Sequence, residues 1–186
     1  VARGEGLRRS TVYAFIDGSI EATGLIKRNA QRAADLIGNF KQVAVDQTST
    51  RRREFALHEV VGEILTTLRP ALRRTAHEVH MDIPEGIVLD SFPGPLEQIV
   101  SNLVMNSLLH GFEACDHGTI RIAAERAGDS VRLRYTDDGQ GMNAAVAQQA
   151  FDPFFTTKLG RGGSGLGLYI VYNLATAVLG GTVSLA

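Results

Sequence analysis

The 186-residue chain has one cysteine, Cys115, no tryptophan and five prolines. A lone cysteine excludes an intrachain disulfide and suits a reducing compartment. Charge of one sign is missing too: 19 Lys and Arg face 20 Asp and Glu, a formal net charge of -1 at pH 7. That balance argues against a nucleic-acid partner held by a strongly basic surface. No apolar run approaches about 18 residues, and the N-terminus has no signal-peptide pattern. The expectation is therefore a soluble, cytoplasmic segment, whose parent is free to carry a membrane anchor. A chain this long buries roughly 70% of its unfolded surface and needs no disulfide or structural metal. Glycine is abundant instead: there are 20, concentrated in the last third.

Residues 1–10 read as a loose entry segment, and 11–45 as a helix. Ala22, Leu25, Ile26, Asn29, Ala33, Leu36, Ile37, Phe40 and Val43 follow a 3-4 spacing, and so long a stripe calls for a partner helix. The polar stretch 46–54, with Arg51–Arg53, reads as a solvated linker, which places the appendage at 1–45 and the main domain at 55–186. From Phe55 the pattern is α+β. "LHEVVGEILTTLRPAL" is an amphipathic helix that Pro70 ends or kinks, and "HEVHMDI" and "PEGIVLD" read as strands. "PGPLEQIVSNLVMNSLLHGF" is a helix entered by proline and left at Gly111. Residues 118–139 form a hairpin about an Ala127–Asp129 turn, and a short helix is expected at 143–149. A Gly-rich loop then leads into the apolar helix "GLGLYIVYNLATAVLG", and "GTVSLA" reads as a strand.

Four stretches carry chemistry. Asn102, Asn106 and His110 are spaced by four, so each is turned only about 40° from the last on an α-helix. Asparagine is a mediocre helix former and costly to bury unpartnered, so a column of two amides and an imidazole needs a reason. Amide oxygens are hard ligands suited to Mg²⁺, which leans on substrate phosphates; Asn106, mid-column, is the natural ligand. His110 could touch a phosphate oxygen, or serve a helix C-terminus. "TDDGQGM" (136–142) sets two carboxylates at a strand end. An ionised carboxylate only accepts hydrogen bonds, so it selects adenine, with its donating amino group, over guanine; taken alone, the stretch reads first as an Asp-stabilised turn. "FDPFFTTK" supplies Thr156, Thr157 and Lys158, suited to phosphate oxygens beneath a mobile lid. "GGSGLGLYIV" (162–171) runs glycines into a helix N-terminus, which carries about half a positive charge and lets phosphate approach. Alone, it equally suits a turn capping a core helix.

In this order the four stretches resemble the ATP-binding domain of the sensor histidine kinases, within the wider GHKL ATPase superfamily. The N box corresponds to Asn102 and Asn106 with His110, the G1 box to 137–141, the F box to Phe151–Phe155, and the G2 box to 163–168. The resemblance covers about 55–186, and 11–45 is similar to the second helix of the family's dimerisation and phosphotransfer hairpin. It implies a two-layer α/β sandwich of the Bergerat type, with a mixed sheet against helices. It further implies a histidine protein kinase activity using ATP and Mg²⁺, a response-regulator receiver domain as partner, and homodimerisation through the hairpin in the full-length protein. By the resemblance, Asp137 meets the adenine amino group, Asn106 ligates Mg²⁺, and Asn102 positions the metal–phosphate end. Asn102 and Asn106 are thus the catalytic pair. Gly139, Gly141 and Met142 line the nucleotide side. Thr157, Lys158 and the backbone of Gly165, Leu166, Gly167 and Leu168 hold phosphates, and His110, Thr156, Gly163 and Ser164 complete the ATP-binding set.

None of the five histidines fits the family's acceptor pattern, close to His-Glu-x-x-x-Pro. His58 precedes Glu59, but "HEVVGE" lacks the proline and starts the first helix of the main domain; His77 and His80 alternate in a strand and His117 lies in a turn. The chain therefore reads as a fragment without the acceptor, and unable to phosphorylate itself. ATP-hydrolysing relatives use a glutamate where Asn102 stands, and an amide is a poor general base. A non-catalytic regulatory ATP-binding module is the other alternative, set against the intact motif residues.

Overall fold

The computed structural model describes residues 9–45, 51–158 and 163–185, with side chains except those of 9, 11, 28 and 31–45. The chain divides into two compact units, Val1–Phe40 and Lys41–Ala186.

The first unit is helical. Helix α1 spans Arg9–Val45 and runs through both Gly18 and Gly24. Its described apolar side chains are exposed, among them Phe15, Ile20, Leu25 and Ile26. The later stripe positions Ala33, Leu36, Ile37, Phe40 and Val43 have side chains outside the described residues.

The second unit is α+β. Strand β1 (Arg53–Ala56) pairs antiparallel with β3 (Val88–Ser91), in register Arg53↔Ser91 to Ala56↔Val88. Arg53 and Glu54 therefore lie in a strand, two residues inside the expected linker. Their side chains are exposed, which is what the charge run reported, while the backbone pairs; the Arg52 guanidinium meets Asp90 across the pair at 3.2 Å. The main sheet has the order β2-β4-β5, formed by Glu78–Asp82, Thr119–Ala127 and Ser130–Asp137. β2 is parallel to β4, and β4 antiparallel to β5, so the sheet is mixed. The β4–β5 hairpin turns at Gly128, whose φ of 62° suits the first central position of a two-residue turn.

Helices α2 (Leu57–Leu72) and α3 (Pro93–Asn106) supply the second layer. α2 buries Leu57, Val60, Val61 and Ile64, the 3-4 spacing of one helical face, and continues two residues past Pro70. α3 buries Leu96, Ile99, Val100 and Val104. All of these except Ile99 join Ile120, Ile122 and Ala124, the inward alternation of β4, in one core. Ile120 and Ile122 are fully buried, each worth about 1.5–3 kcal/mol over exposure. The short helix α4 (Ala144–Gln149) is capped by Asn143, whose Oδ1 accepts the Val146 N–H at 2.9 Å. α5 (Gly167–Asn173) passes into a π-helical turn, Leu174–Val178. "GTVSLA" takes no regular strand pairing in its described residues, because an extended segment becomes a strand only beside a partner.

Candidate functional site

α3 does not end as a plain α-helix. Beyond Asn106 it widens into a π-helical turn, Ser107–Gly111, closed by Phe112 N–H donating to Ser107 O at 2.8 Å. His110 therefore stands in the π turn, and the column's spacing of four is α-helical only from Asn102 to Asn106. Such turns occur frequently at functional sites. The last carbonyls of a helix have no partner within it. Here the site loops take them: Gln140 N–H donates to Gly111 O at 2.9 Å and Gln140 Nε2 to His110 O at 2.6 Å. Lys158 Nζ donates to Leu109 O. The helix end thus gathers the 137–141 turn and the 156–158 segment.

The adjacent carboxylates of "TDDG" divide their work. Asp138 Oδ1 accepts the Thr119 N–H at 2.6 Å, tying the end of β5 back to β4; that backbone bond is the main reason its carboxyl lies below the usual range. Asp137 turns towards α3. Its Oδ2 accepts from Ser107 Oγ at 2.6 Å and its Oδ1 from Gly139 N–H at 3.1 Å, yet the residue remains exposed. Gly111 flanks it closely: a Cβ there would lie 3.1 Å from Asp137 Oδ1. A Cβ on Gly139 would collide with the Gly111 carbonyl, so the turn reaches the helix only because residue 139 has no side chain.

The column and the Gly-rich segment also meet. The start of α5 lies against Asn106, since a Cβ on Gly167 would stand 3.2 Å from Asn106 Oδ1. Asn102 Nδ2 is buried and has no hydrogen-bond partner in the structure. An unmade buried bond costs roughly 1–3 kcal/mol, so this donor waits on a ligand or a water. No group of three or more His, Cys, Asp or Glu suited to a metal occurs among the described residues. A Mg²⁺ ion here would draw on the Asn106 amide oxygen and on phosphate, which fits its chemistry.

On the other side, Thr156 Oγ1 accepts Lys158 N–H at 3.1 Å, and Thr157 Oγ1 lies 3.4 Å from His110 Nδ1. Lys158 also forms an ion pair with Glu113 at 2.9 Å. Burial, then the Lys158 charge, lower the His110 pKa, against an opposing pull from Glu113. Phe154 holds φ = 67°, rare for a side chain of its size, and is exposed. Its backbone packs on Gly165, whose own φ of 71° and missing Cβ permit the contact. Ser164 Oγ accepts the Leu166 N–H at 3.3 Å, and Leu166 is buried. Gly163 abuts Thr156 Oγ1, while Leu168 is half-buried and Gly141 and Met142 are exposed. Two surface clefts, of about 560 Å³ beside His58 and Glu59 and about 430 Å³ beside Arg51 and Arg53, share no residue with this site.

The sequence reading passed over three participants. Ser107 is a buried polar side chain, 2% exposed, inside an apolar run; that misplacement was the available signal. Tyr135 reads as an inward hairpin position, and its hydroxyl lies 2.7 Å from Ser107 Oγ. Glu113 follows the helix end with no local mark of its role.

Residues 93–186 match the family model described as "Histidine kinase-, DNA gyrase B-, and HSP90-like ATPase". The sensor histidine kinase ZraS of Escherichia coli K12 is 35% identical over 128 residues, 69% of this chain and 25% of that relative. The chain thus spans about a quarter of the length of that curated relative. The solved catalytic domain of histidine kinase ThkA superposes with a TM-score of 0.61 at 25% identity, covering 69% of this chain and 82% of that one. ThkA in complex with the response regulator protein TrrA shares the fold, with a TM-score of 0.56 at 20% identity, over 94% of this chain and 45% of that one. The pinned Asp137, the α3 amides and the Gly-rich start of α5 sit inside the matched region: the chain belongs to the histidine kinase-, DNA gyrase B- and HSP90-like ATPase family and carries a catalytic domain of the sensor-histidine-kinase type.

Proposed function

We propose that this domain binds Mg²⁺-ATP and hands the γ-phosphate to a histidine that is none of its own five. The observation that carries the reading is the convergence at α3: an exposed, acceptor-only Asp137 at one end, and at the other Asn106 against the start of α5 with the buried, unpartnered Asn102 amide one turn before it. Asp137 receives the adenine amino group. Asn102 Nδ2 donates to a phosphate oxygen, and Asn106 Oδ1 is the amide ligand for Mg²⁺. When bound, Mg²⁺ neutralises charge on the phosphate oxygens. Gly139, Gly141 and Met142 border the base. Thr156, Thr157, Lys158 and 163–168 hold the phosphates. Transfer needs alignment and charge neutralisation more than a nucleophile in this domain. Asn102, an amide where hydrolysing relatives keep a base, favours transfer over hydrolysis.

In the longer protein, 1–45 contributes to a homodimeric helical hairpin, and the phosphate passes on to a response-regulator receiver domain on the cytoplasmic side. The TrrA complex of ThkA supports that partner class. Calorimetry with Asn106→Ala tests the site. Mg²⁺ should tighten ATP binding to the wild type about tenfold more than to the variant, as expected for one lost ligand contact. Equal Mg²⁺ dependence in the two proteins would remove Asn106 as the ligand.

A further inference from the structure

Ser107 and Tyr135 are 28 residues apart and meet through one hydroxyl. Ser107 Oγ lies 2.6 Å from Asp137 Oδ2 and 2.7 Å from the Tyr135 hydroxyl. An ionised carboxylate can only accept, so Ser107 spends its single proton on Asp137. Its lone pair then faces Tyr135, which must donate. The direction of the whole chain is fixed by the charge at its end: Tyr135 O–H to Ser107 Oγ, and Ser107 O–H to Asp137 Oδ2. Hydrogen bonds in such a chain polarise one another, and bonds to an ionised acceptor are the strong ones. Burial, more than the nearby Asp137 charge, pushes the Tyr135 hydroxyl well above its ordinary pKa, so it stays a donor. Gly139 N–H occupies Oδ1 at 3.1 Å, so each Asp137 oxygen is held by one donor from the protein.

Resting on the reading that Asp137 receives the base, we infer that Ser107 and Tyr135 are positioning residues that set the nucleobase specificity of the site. A carboxylate with both oxygens pinned by donors does not swing aside. It accepts the amino group of adenine and meets the carbonyl oxygen of guanine with two opposed acceptors. Loosened, the same carboxylate tolerates guanine by rotating its acceptor away from the guanine oxygen. The relay therefore controls discrimination as well as affinity.

The test is calorimetric titration of the whole chain with ATP and with GTP, using wild type, Ser107→Ala, Ser107→Thr, Tyr135→Phe and Asp137→Asn, with thermal melts to confirm folding. Ser107→Ala should lose about tenfold in ATP affinity, corresponding to one charge-assisted bond, with GTP unchanged. Ser107→Thr keeps the hydroxyl and should restore the wild-type ATP:GTP ratio. Tyr135→Phe, one link removed, should lose about threefold in that ratio. If Ser107→Ala does not fold, Tyr135→Phe alone decides. An unchanged ATP:GTP ratio in the folded relay variants, while Asp137→Asn abolishes it, would overturn the relay and leave the site reading standing. An ATP:GTP ratio unchanged in Asp137→Asn would overturn the site reading itself, and the relay with it.

Discussion

At the β5 end of the site, Asp137 is held by Ser107 and by the Gly139 N–H, and its backbone turn is locked to the end of α3 through Gln140. Across from it, the 154–158 segment is tied down by groups a triphosphate would also want: Lys158 donates to Leu109 O and pairs with Glu113, and Thr157 touches His110. One region has its acceptor already aimed and still exposed. The other holds its cation and hydroxyl in contacts within the protein. On the proposed reading a base docks without rearrangement, whereas phosphate binding trades existing bonds for new ones. Preorganisation spares the first region an ordering cost that the second still carries.

Removing the cation is the harshest way to separate the two regions. Lys158→Met should weaken ATP about tenfold and leave adenosine unchanged, since the lost charge-assisted bond serves phosphate only. Parallel titrations with the two ligands check this, and an equal loss for both would mean that Lys158 supports the fold of the whole site. A smaller effect concerns His110, whose pKa is lowered by burial and by the Lys158 charge. The folded state then binds a proton less readily than the unfolded chain, so stability from this residue is present above the unfolded value, near 6.5, and is lost as pH falls below it through the lowered folded value. Denaturant unfolding at pH 7.5 and 5.5 should show a smaller acid loss in His110→Asn than in wild type. An identical loss would place the pH sensitivity elsewhere.

Much of this site is legible in the chain because its signals are local. The Asn102–Asn106 spacing, the Asp137–Asp138 pair and the glycines before α5 each fall within one element or turn. What joins them is not local. The Tyr135–Ser107–Asp137 link depends on the register that brings β5 beside the end of α3, and no spacing within either segment encodes it. The residue pattern by itself separates the two aspartates no better; only the family resemblance singles out Asp137. Asp138 is spent on Thr119 because β4 is its neighbour, and only the paired sheet reveals that. The π turn escapes too, since Ser107–Gly111 has ordinary helix-compatible residues and is defined by the i to i+5 bond it makes. At Arg53 and Glu54 side-chain charge misled, because exposure of the side chains says nothing about pairing of the backbone.

The central claim is that Asp137 is the base-recognising group, and calorimetric titration of Mg²⁺-ATP into wild type and Asp137→Asn tests it most directly. Exchanging one carboxylate oxygen for an amide nitrogen puts a donor where the acceptor stood, at an expected cost of about 2–3 kcal/mol. We predict saturable binding to the wild type and a loss of about a hundredfold in the variant, with an unchanged melting profile. Equal ATP affinity in the two proteins would contradict the account.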